Sequence, residues 1–155
     1  MAGEAVTFGQ LLERYEGELF AYALRLSGQR ADAEDLFQDT FLAAFRAWPP
    51  PRRGNERAWL YRIATNRAID RGRRARRVTA STDDLALAAP ARDDVTLVDL
   101  AAAIRELPAG QRAAFLLRKV QGLAYAEVAE ALECSEVAAR ARVSDALKKV
   151  RAGVA

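Results

Sequence analysis

Apolar residues recur every three or four positions along most of this chain, the period of an amphipathic helix. The first such stretch runs from Thr7 to Leu26, with Phe8, Leu11, Leu12, Tyr15, Leu19, Tyr22, Ala23 and Leu26 in step. Gly17 marks a candidate bend, and Ser27-Gly28 closes the helix. A second helix is predicted from about Ala31 to Trp48, with Phe37, Phe41, Ala44, Phe45 and Trp48 on its buried face and Asp32 and Glu34 in its first turn. Pro49-Pro50-Pro51 stops it, because proline lacks a backbone donor and restricts the residue before it. Asn55 is placed to cap a third helix opening with Glu56. There Leu60, Ile63, Ala64 and Ala68 supply the inward face, and Arg62, Asn66, Arg67 and Asp70 are left to face outward. Gly72 weakens this helix and predicts fraying among the arginines beyond it.

The period is lost over residues 78–94, which are small, polar and acidic, with Pro90, and read as a flexible linker. It resumes with Leu97, Leu100, Ala101, Ile104 and Leu107, closed by Pro108, and then with Ala113, Leu116, Leu117 and Val120, closed by Gly122. Tyr125, Val128, Ala129 and Leu132 mark a short helix. Ser135 caps a last one, with Ala139, Val143, Ala146, Leu147 and Val150 inward. A short helix, a tight turn and a longer helix make a helix-turn-helix, which sets its second helix in the major groove. The predicted fold class is all-α: two small helical domains, residues 1–77 and 95–155, joined by the linker 78–94.

Composition is that of a globular protein, 51% apolar and 29% charged over 155 residues. The formal charge of +3 conceals blocks: residues 1–51 net −4, 52–77 net +8, 78–94 net −3 and 95–155 net +2. Ten arginines against two acids between Arg52 and Arg77, beside Trp59, Tyr61 and Asn66, suit phosphates and exposed bases. The bland reading is a solvated basic face. The acidic linker could lie along this basic channel when DNA is absent, or simply be solvated.

Cys134 is the single cysteine, so no internal disulfide forms, and a reducing interior is expected. With no histidine, a zinc cluster is excluded in practice. No phosphate-binding glycine loop or metal constellation is present, so neither an enzymatic activity nor a cofactor is expected. The N-terminus has no signal-peptide pattern, and no apolar run approaches the roughly 20 residues that span a bilayer. A cytoplasmic protein without membrane insertion is expected.

Three sets of residues are candidates for function. Asp35, Gln38, Asp39 and Leu42 form a stripe on the second helix about a third of a turn from its apolar face. They would make a protein-docking edge or an ordinary surface. Arg52, Arg53 and Asn55 lie in a loop behind rigid prolines that would hold an extruded base or merely connect two helices. Arg140 and Arg142 stand on the last helix.

Taken in order, these motifs resemble the extracytoplasmic-function sigma factors, small two-domain members of the bacterial sigma-70 family. Leu19-Phe20-Ala21-Tyr22-Ala23-Leu24-Arg25, leading into Asp32-Ala33-Glu34-Asp35-Leu36-Phe37-Gln38-Asp39-Thr40-Phe41-Leu42, is similar to the region-two segment that docks on polymerase. Trp59-Leu60-Tyr61-Arg62-Ile63-Ala64-Thr65-Asn66, then Ile69-Asp70-Arg71, is similar to the segment that melts and reads the minus-ten element. Leu107-Pro108, Arg112, Gly122, Tyr125-Ala126-Glu127-Val128-Ala129 and Leu132 resemble region four, which binds the minus-thirty-five element.

The resemblance implies core RNA polymerase and promoter DNA as partners, together with an anti-sigma factor. It implies polymerase contacts by Asp35, Gln38, Asp39 and Leu42, base capture by the loop of Arg52, Arg53 and Asn55, and strand reading by Asn66 with Arg62 and Arg67. Trp59 is either core filler or a wedge at the junction. Arg71, Arg73, Arg74, Arg76 and Arg77 would hold phosphates.

The last helix departs from the family. It carries Ala138-Ala139-Arg140-Ala141-Arg142 and Asp145 where hydroxyls and further arginines are common, Ala124 replaces a capping hydroxyl, and Glu133 replaces a turn glycine. Weakened binding of the upstream element follows as an expectation. A degenerate regulator working through protein contacts, or a dimeric helix-turn-helix regulator, are the rival readings.

Overall fold

The computed structural model describes residues 6–50, 54–78 and 97–154, and for 75–78 the backbone alone. Its helices are α1 (Phe8–Ser27), α2 (Arg30–Arg46), α3 (Glu56–Val78), α4 (Leu97–Arg105), α5 (Ala109–Phe115), α6 (Tyr125–Leu132) and α7 (Glu136–Val154). A π-helical turn, Leu116–Val120, prolongs α5. Among the described residues there is no strand, as the helical period requires. The linker beyond Val78 lies outside them.

Local chemistry sets the helix ends. Thr7 and Gln10 cap α1 reciprocally, the Gln10 N–H donating to Thr7 Oγ1 (3.2 Å) and the Thr7 N–H to Gln10 Oε1 (2.9 Å). Gly28, at φ 75°, ends the helix with its N–H on the Leu24 carbonyl. Gly17 sits within continuous α1. The single Gly72 does not interrupt α3, which persists to Val78 instead of fraying.

The buried face of α2 is centred on Ala33, Leu36, Thr40 and Ala44. The helical step of about 100° per residue puts Phe45 near the edge of that arc. Phe45 is accordingly 62% exposed, not buried as its spacing from Phe41 suggests, although its ring still meets Phe8 edge-on at 5.3 Å. At the start of α4 the inward pattern also fails: Leu97 is 85% exposed and Val98 70%. Ile104 is the buried residue of that helix, and Leu107 is buried just beyond its end.

The two helical halves pack against each other. α3 lies along α6, and α1 meets the π turn. In α3 the four consecutive residues Ala58, Trp59, Leu60 and Tyr61 are all buried, which requires neighbours on every side of that turn. α1 and α2 cover one side, and the C-terminal half covers the other.

Polar contacts fix the register of the seam. Gln121, just past the π turn, donates from Nε2 to the Glu18 carbonyl (3.0 Å) and to the Tyr61 hydroxyl (2.8 Å). Its Oε1 accepts from Arg25 (2.7 Å). Arg57 forks onto Glu18 (3.0 and 3.1 Å) and also donates to the Gln121 carbonyl (3.0 Å). From the other half, Arg112 donates to the Leu26 carbonyl (3.4 Å) and the Arg105 side chain lies over Gly28. Both cations thus meet the negative end of the α1 dipole.

Behind Gln121, the buried Thr65 hydroxyl donates to the Tyr61 carbonyl (2.7 Å), so its contact with Tyr22 (2.7 Å) takes the Tyr22 proton. Burial pushes the Tyr61 hydroxyl up from 10.0 to about 12, and raises Tyr22 as well.

Two outcomes are expected. Gln121→Ala strands the Tyr61 hydroxyl and removes the tie to the Glu18 carbonyl, and should cost roughly 1–3 kcal/mol in urea unfolding. A loss indistinguishable from zero would show that the seam is held by apolar packing alone. Both tyrosines are kept neutral in the fold, so the stability they carry is complete below the ordinary tyrosine value and is lost as pH rises through the folded one. Unfolding free energy should therefore decline from pH 10.0 towards about 12, and Tyr61→Phe should flatten that decline.

Candidate nucleic-acid interface

The outer side of α2 presents Asp35, Gln38 and Leu42 to solvent, with Asp39 partly covered. Relative to the observed core face this stripe is about half a turn away, a cleaner separation than the aromatic spacing suggested. Leu42 is 47% exposed beside the two carboxylates, and Phe45 adds a second apolar side chain at the end of the row. Asp39 is not free: its carboxylate accepts from Arg71 of α3. The structure thus brings together one residue expected to meet protein and one expected to meet phosphate.

α3 divides the candidate DNA residues into two stripes. Trp59, Arg62, Asn66 and Arg73 share one face, while Arg67, Arg71 and Arg74 lie about a third to half a turn round. Arg67, Arg73 and Arg74 are exposed. Trp59 is buried at 5%, its ring tilted against Trp48 at 6.3 Å between centroids, so the structure places it as core filler. Arg52 and Arg53 lie outside the described residues, as do the side chains of Arg76 and Arg77.

The first stripe faces α6 across a cavity of about 700 Å³ lined by Asn55, Trp59, Arg62, Glu130 and Cys134 among others. Asn55 donates from Nδ2 to Glu130 (2.9 Å), and Asn66 reaches Glu133 from Nδ2 at 3.5 Å. Arg62 Nε lies 3.7 Å from the same Glu133 oxygen. Asn55, Arg62 and Asn66 therefore all address carboxylates from the other half of the chain.

In the C-terminal half, α6, a turn and α7 form the expected helix-turn-helix. Ala124 has no hydroxyl to cap α6, but its N–H donates to Glu127 (3.1 Å). Glu133 closes α6 at φ 54°, the left-handed conformation that glycine adopts most easily, with the Cys134 N–H on the Ala129 carbonyl (3.0 Å). Ser135 caps α7 by accepting from the Ala138 N–H (3.1 Å).

Arg140 is exposed on α7, with its guanidinium 4.2 Å from the centre of the Tyr125 ring. Arg118 lies 4.5 Å from that centre and donates to the Leu123 carbonyl (3.0 Å). Arg142, by contrast, lines a cavity with Ala68, Ile69 and Arg73 of α3. Asp145 is exposed.

Several of these partners escape sequence reasoning. Gln121 bonds to Arg57 and Glu18 across the seam, and those two pair with each other, yet none belongs to an apolar period. Arg57 is held protonated above the ordinary arginine value, chiefly by its hydrogen bond to Glu18. The only advance signal for Glu130 and Glu133 is an acid every third residue, with Glu127, in a segment that could face the basic helix. Among the described residues, no group of histidine, cysteine and carboxylate side chains could hold a metal, and no helix is long and apolar enough to cross a membrane.

Comparison with known proteins agrees with this two-part organisation. Residues 11–78 match the model of sigma-70 region 2, and residues 97–150 that of sigma-70 region 4. The chain is 33% identical to the ECF RNA polymerase sigma factor SigE of Mycolicibacterium smegmatis over 94% of its own length and 60% of the relative's. It is 33% identical to the ECF RNA polymerase sigma factor SigL of Mycobacterium tuberculosis, over 97% of this chain and 90% of that one. The chain thus spans under two thirds of one relative and nearly all of the other.

Among solved structures, the sigma factor RpoE in complex with the anti-sigma factor NepR from Bartonella quintana superposes with a TM-score of 0.77 at 30% identity, covering 95% of this chain and 96% of that one. CnrH in complex with the cytosolic domain of CnrY gives 0.66 at 33% identity, covering 94% and 85%. Two family regions in order, a relative matched over 90% of its length at 33% identity and the same helical arrangement lead to one assignment: this chain belongs to the extracytoplasmic-function RNA polymerase sigma factors of the sigma-70 family.

Proposed function

We propose that the chain binds core RNA polymerase through the outer stripe of α2, opens promoter DNA on α3, and directs transcription initiation. The observation that carries this is the stripe itself: Asp35, Gln38 and the half-exposed Leu42 stand away from the chain's own core, with Phe45 beside them. A carboxylate-rimmed apolar row of this kind suits a basic, partly apolar partner surface. In this reading Asn55, Arg62 and Asn66 read the separated strand by amide and guanidinium hydrogen bonds, and Arg67, Arg71, Arg73 and Arg74 hold phosphates. The loop of Arg52 and Arg53 and the distal Arg76 and Arg77 extend the same basic track. The region-two part spans residues 1–77 and the region-four part residues 95–155. An anti-sigma factor is part of this proposal as a partner, since the similar RpoE was solved in complex with the anti-sigma factor NepR.

A second reading applies to the upstream element only. Asp145 is exposed on α7, and Arg142 is turned towards α3, so Arg140 is the better placed of the two expected contacts. Binding to a minus-thirty-five duplex is accordingly weak in this chain, and most of its promoter affinity comes from α3.

Purified chain with bacterial core polymerase should initiate transcription from a subset of promoters, which sequencing of the transcripts identifies. Failure to associate with core enzyme would overturn the proposal. Asp35→Lys with Leu42→Ala should weaken core binding by about tenfold or more, read by competition against the unmodified chain, without lowering the thermal midpoint. Asp145→Arg should tighten binding to upstream duplex several-fold and steepen its salt dependence by about one to two counterions. An unchanged affinity and slope would place Asp145 away from DNA.

A further inference from the structure

Arg142 stands apart from the other partly buried arginines among the described residues. Arg57, Arg62 and Arg71 each face a carboxylate, and Arg112 and Arg118 donate to main-chain carbonyls. Arg142 has neither kind of partner there, although it lines a cavity of about 600 Å³. Arg73 of α3 lines the same cavity and is likewise unpaired among the described residues. A guanidinium drawn from water without an oxygen acceptor loses hydration that nothing replaces, and two in one cavity also repel each other.

The rest of the lining is mostly apolar, with Leu26, Ile69, Pro108 and Leu132 contributing, and it includes no carboxylate. A smaller cavity of about 330 Å³ shares Leu26, Ala68 and Gly72 with the first and so continues it. Its wall holds Asp32, the one carboxylate lining either cavity, which is exposed and has no partner among the described residues.

From this arrangement we propose that the joined cavities bind a small phosphorylated molecule of the nucleotide class. Its phosphates lie between Arg73 and Arg142, its ring rests on the apolar wall, and an amino or hydroxyl group donates to Asp32. Guanidinium forks bind phosphate oxygens in pairs, which answers both unpaired cations at once. The apolar wall takes a flat ring, and a space of this volume suits one small ligand. Asp32 accepts a donor but repels a second anion, so the molecule enters in one orientation. Arg73 and Arg142 come from opposite halves of the chain, so the bound molecule bridges them and stabilises the arrangement in which both walls exist.

The test is calorimetric titration of the full chain with ATP and with GTP at fixed ionic strength, with adenosine and inorganic pyrophosphate as the two part-molecules. At least one nucleotide should bind one per chain, and each part-molecule at least about tenfold more weakly. Arg73→Ala and Arg142→Ala should each weaken nucleotide binding about tenfold or more. Lys148→Ala removes the same charge from an exposed position of α7 outside both cavities and should change it less than about twofold. Gly72→Leu keeps every charge. Gly72 lies in both walls with no atom within 4 Å of where a Cβ would stand, so leucine has room to enter the site and should abolish binding. Leucine also suits the helix, and circular dichroism melting verifies that each variant folds. The nucleotide should raise the melting midpoint of the unmodified chain but not that of Gly72→Leu.

No saturable binding of either nucleotide in the millimolar range overturns the proposal. Pyrophosphate binding as tightly as the nucleotide, or Lys148→Ala costing as much as Arg142→Ala, overturns it by leaving only a basic chain's general attraction for anions. Undiminished binding in Gly72→Leu overturns it by placing the ligand elsewhere. Displacement of the nucleotide by oligothymidylate with equal potency per phosphate overturns it in favour of a DNA strand on the same arginines.

Discussion

Burial around the whole circumference of one turn of α3 is the constraint on which the rest of this structure depends. Four successive residues of a helix point in four directions, so Ala58-Trp59-Leu60-Tyr61 cannot be sheltered by α1 and α2 alone. The C-terminal half completes the enclosure, with α6 along one side and the π turn delivering Gln121 to the Tyr61 hydroxyl. A three-helix unit and a helix-turn-helix unit, each small for an independent core, gain a common one through this contact. The polar groups that cross the seam are nearly all paired, as partial burial demands.

The same contact brings the chain's charge blocks face to face. A strongly basic α3 would repel itself and attract any polyanion, and in this arrangement it meets Asp39 on one side and Glu130 and Glu133 on the other. The acidic linker was a plausible occupant of the basic channel on charge alone. The linker lies outside the described residues; among these, the acids at that channel belong to α6 and to the turn that follows it. Their positions are set by helix packing, which holds each carboxylate within reach of a donor.

What could be read from the sequence follows what is local. Helix existence, the cap at Ser135, the closures at Gly28 and Gly122 and the inner face of α7 all depend on residues within a turn or two of one another. So does the exposed row of Asp35, Gln38 and Leu42. Phe45 misled because spacing fixes which residues share a face but not where the neighbouring helix centres it. Leu36 and Thr40, near the true centre, carry no aromatic flag. Leu97 misled because a periodic pattern continues past the point where packing partners end. Gln121 and the Arg57–Glu18 pair were invisible, since contacts over 39 to 103 residues leave no periodic trace. Glu133 was noticed as a misfit at a glycine position, but its partners across the seam were not.

The wide turn at Leu116–Val120 has a consequence for comparing related chains. With the Gln121 N–H bonded to the Leu116 carbonyl five residues back, this turn holds one residue more than an ordinary helical turn would. Removing that residue would rotate everything beyond it by about 100° and carry the amide of Gln121 off the Glu18 carbonyl and the Tyr61 hydroxyl. Segment length between the positions equivalent to Phe115 and Gly122 is then a genealogical marker: kin one residue shorter there lack the means to clasp their halves in this way, whatever their overall identity.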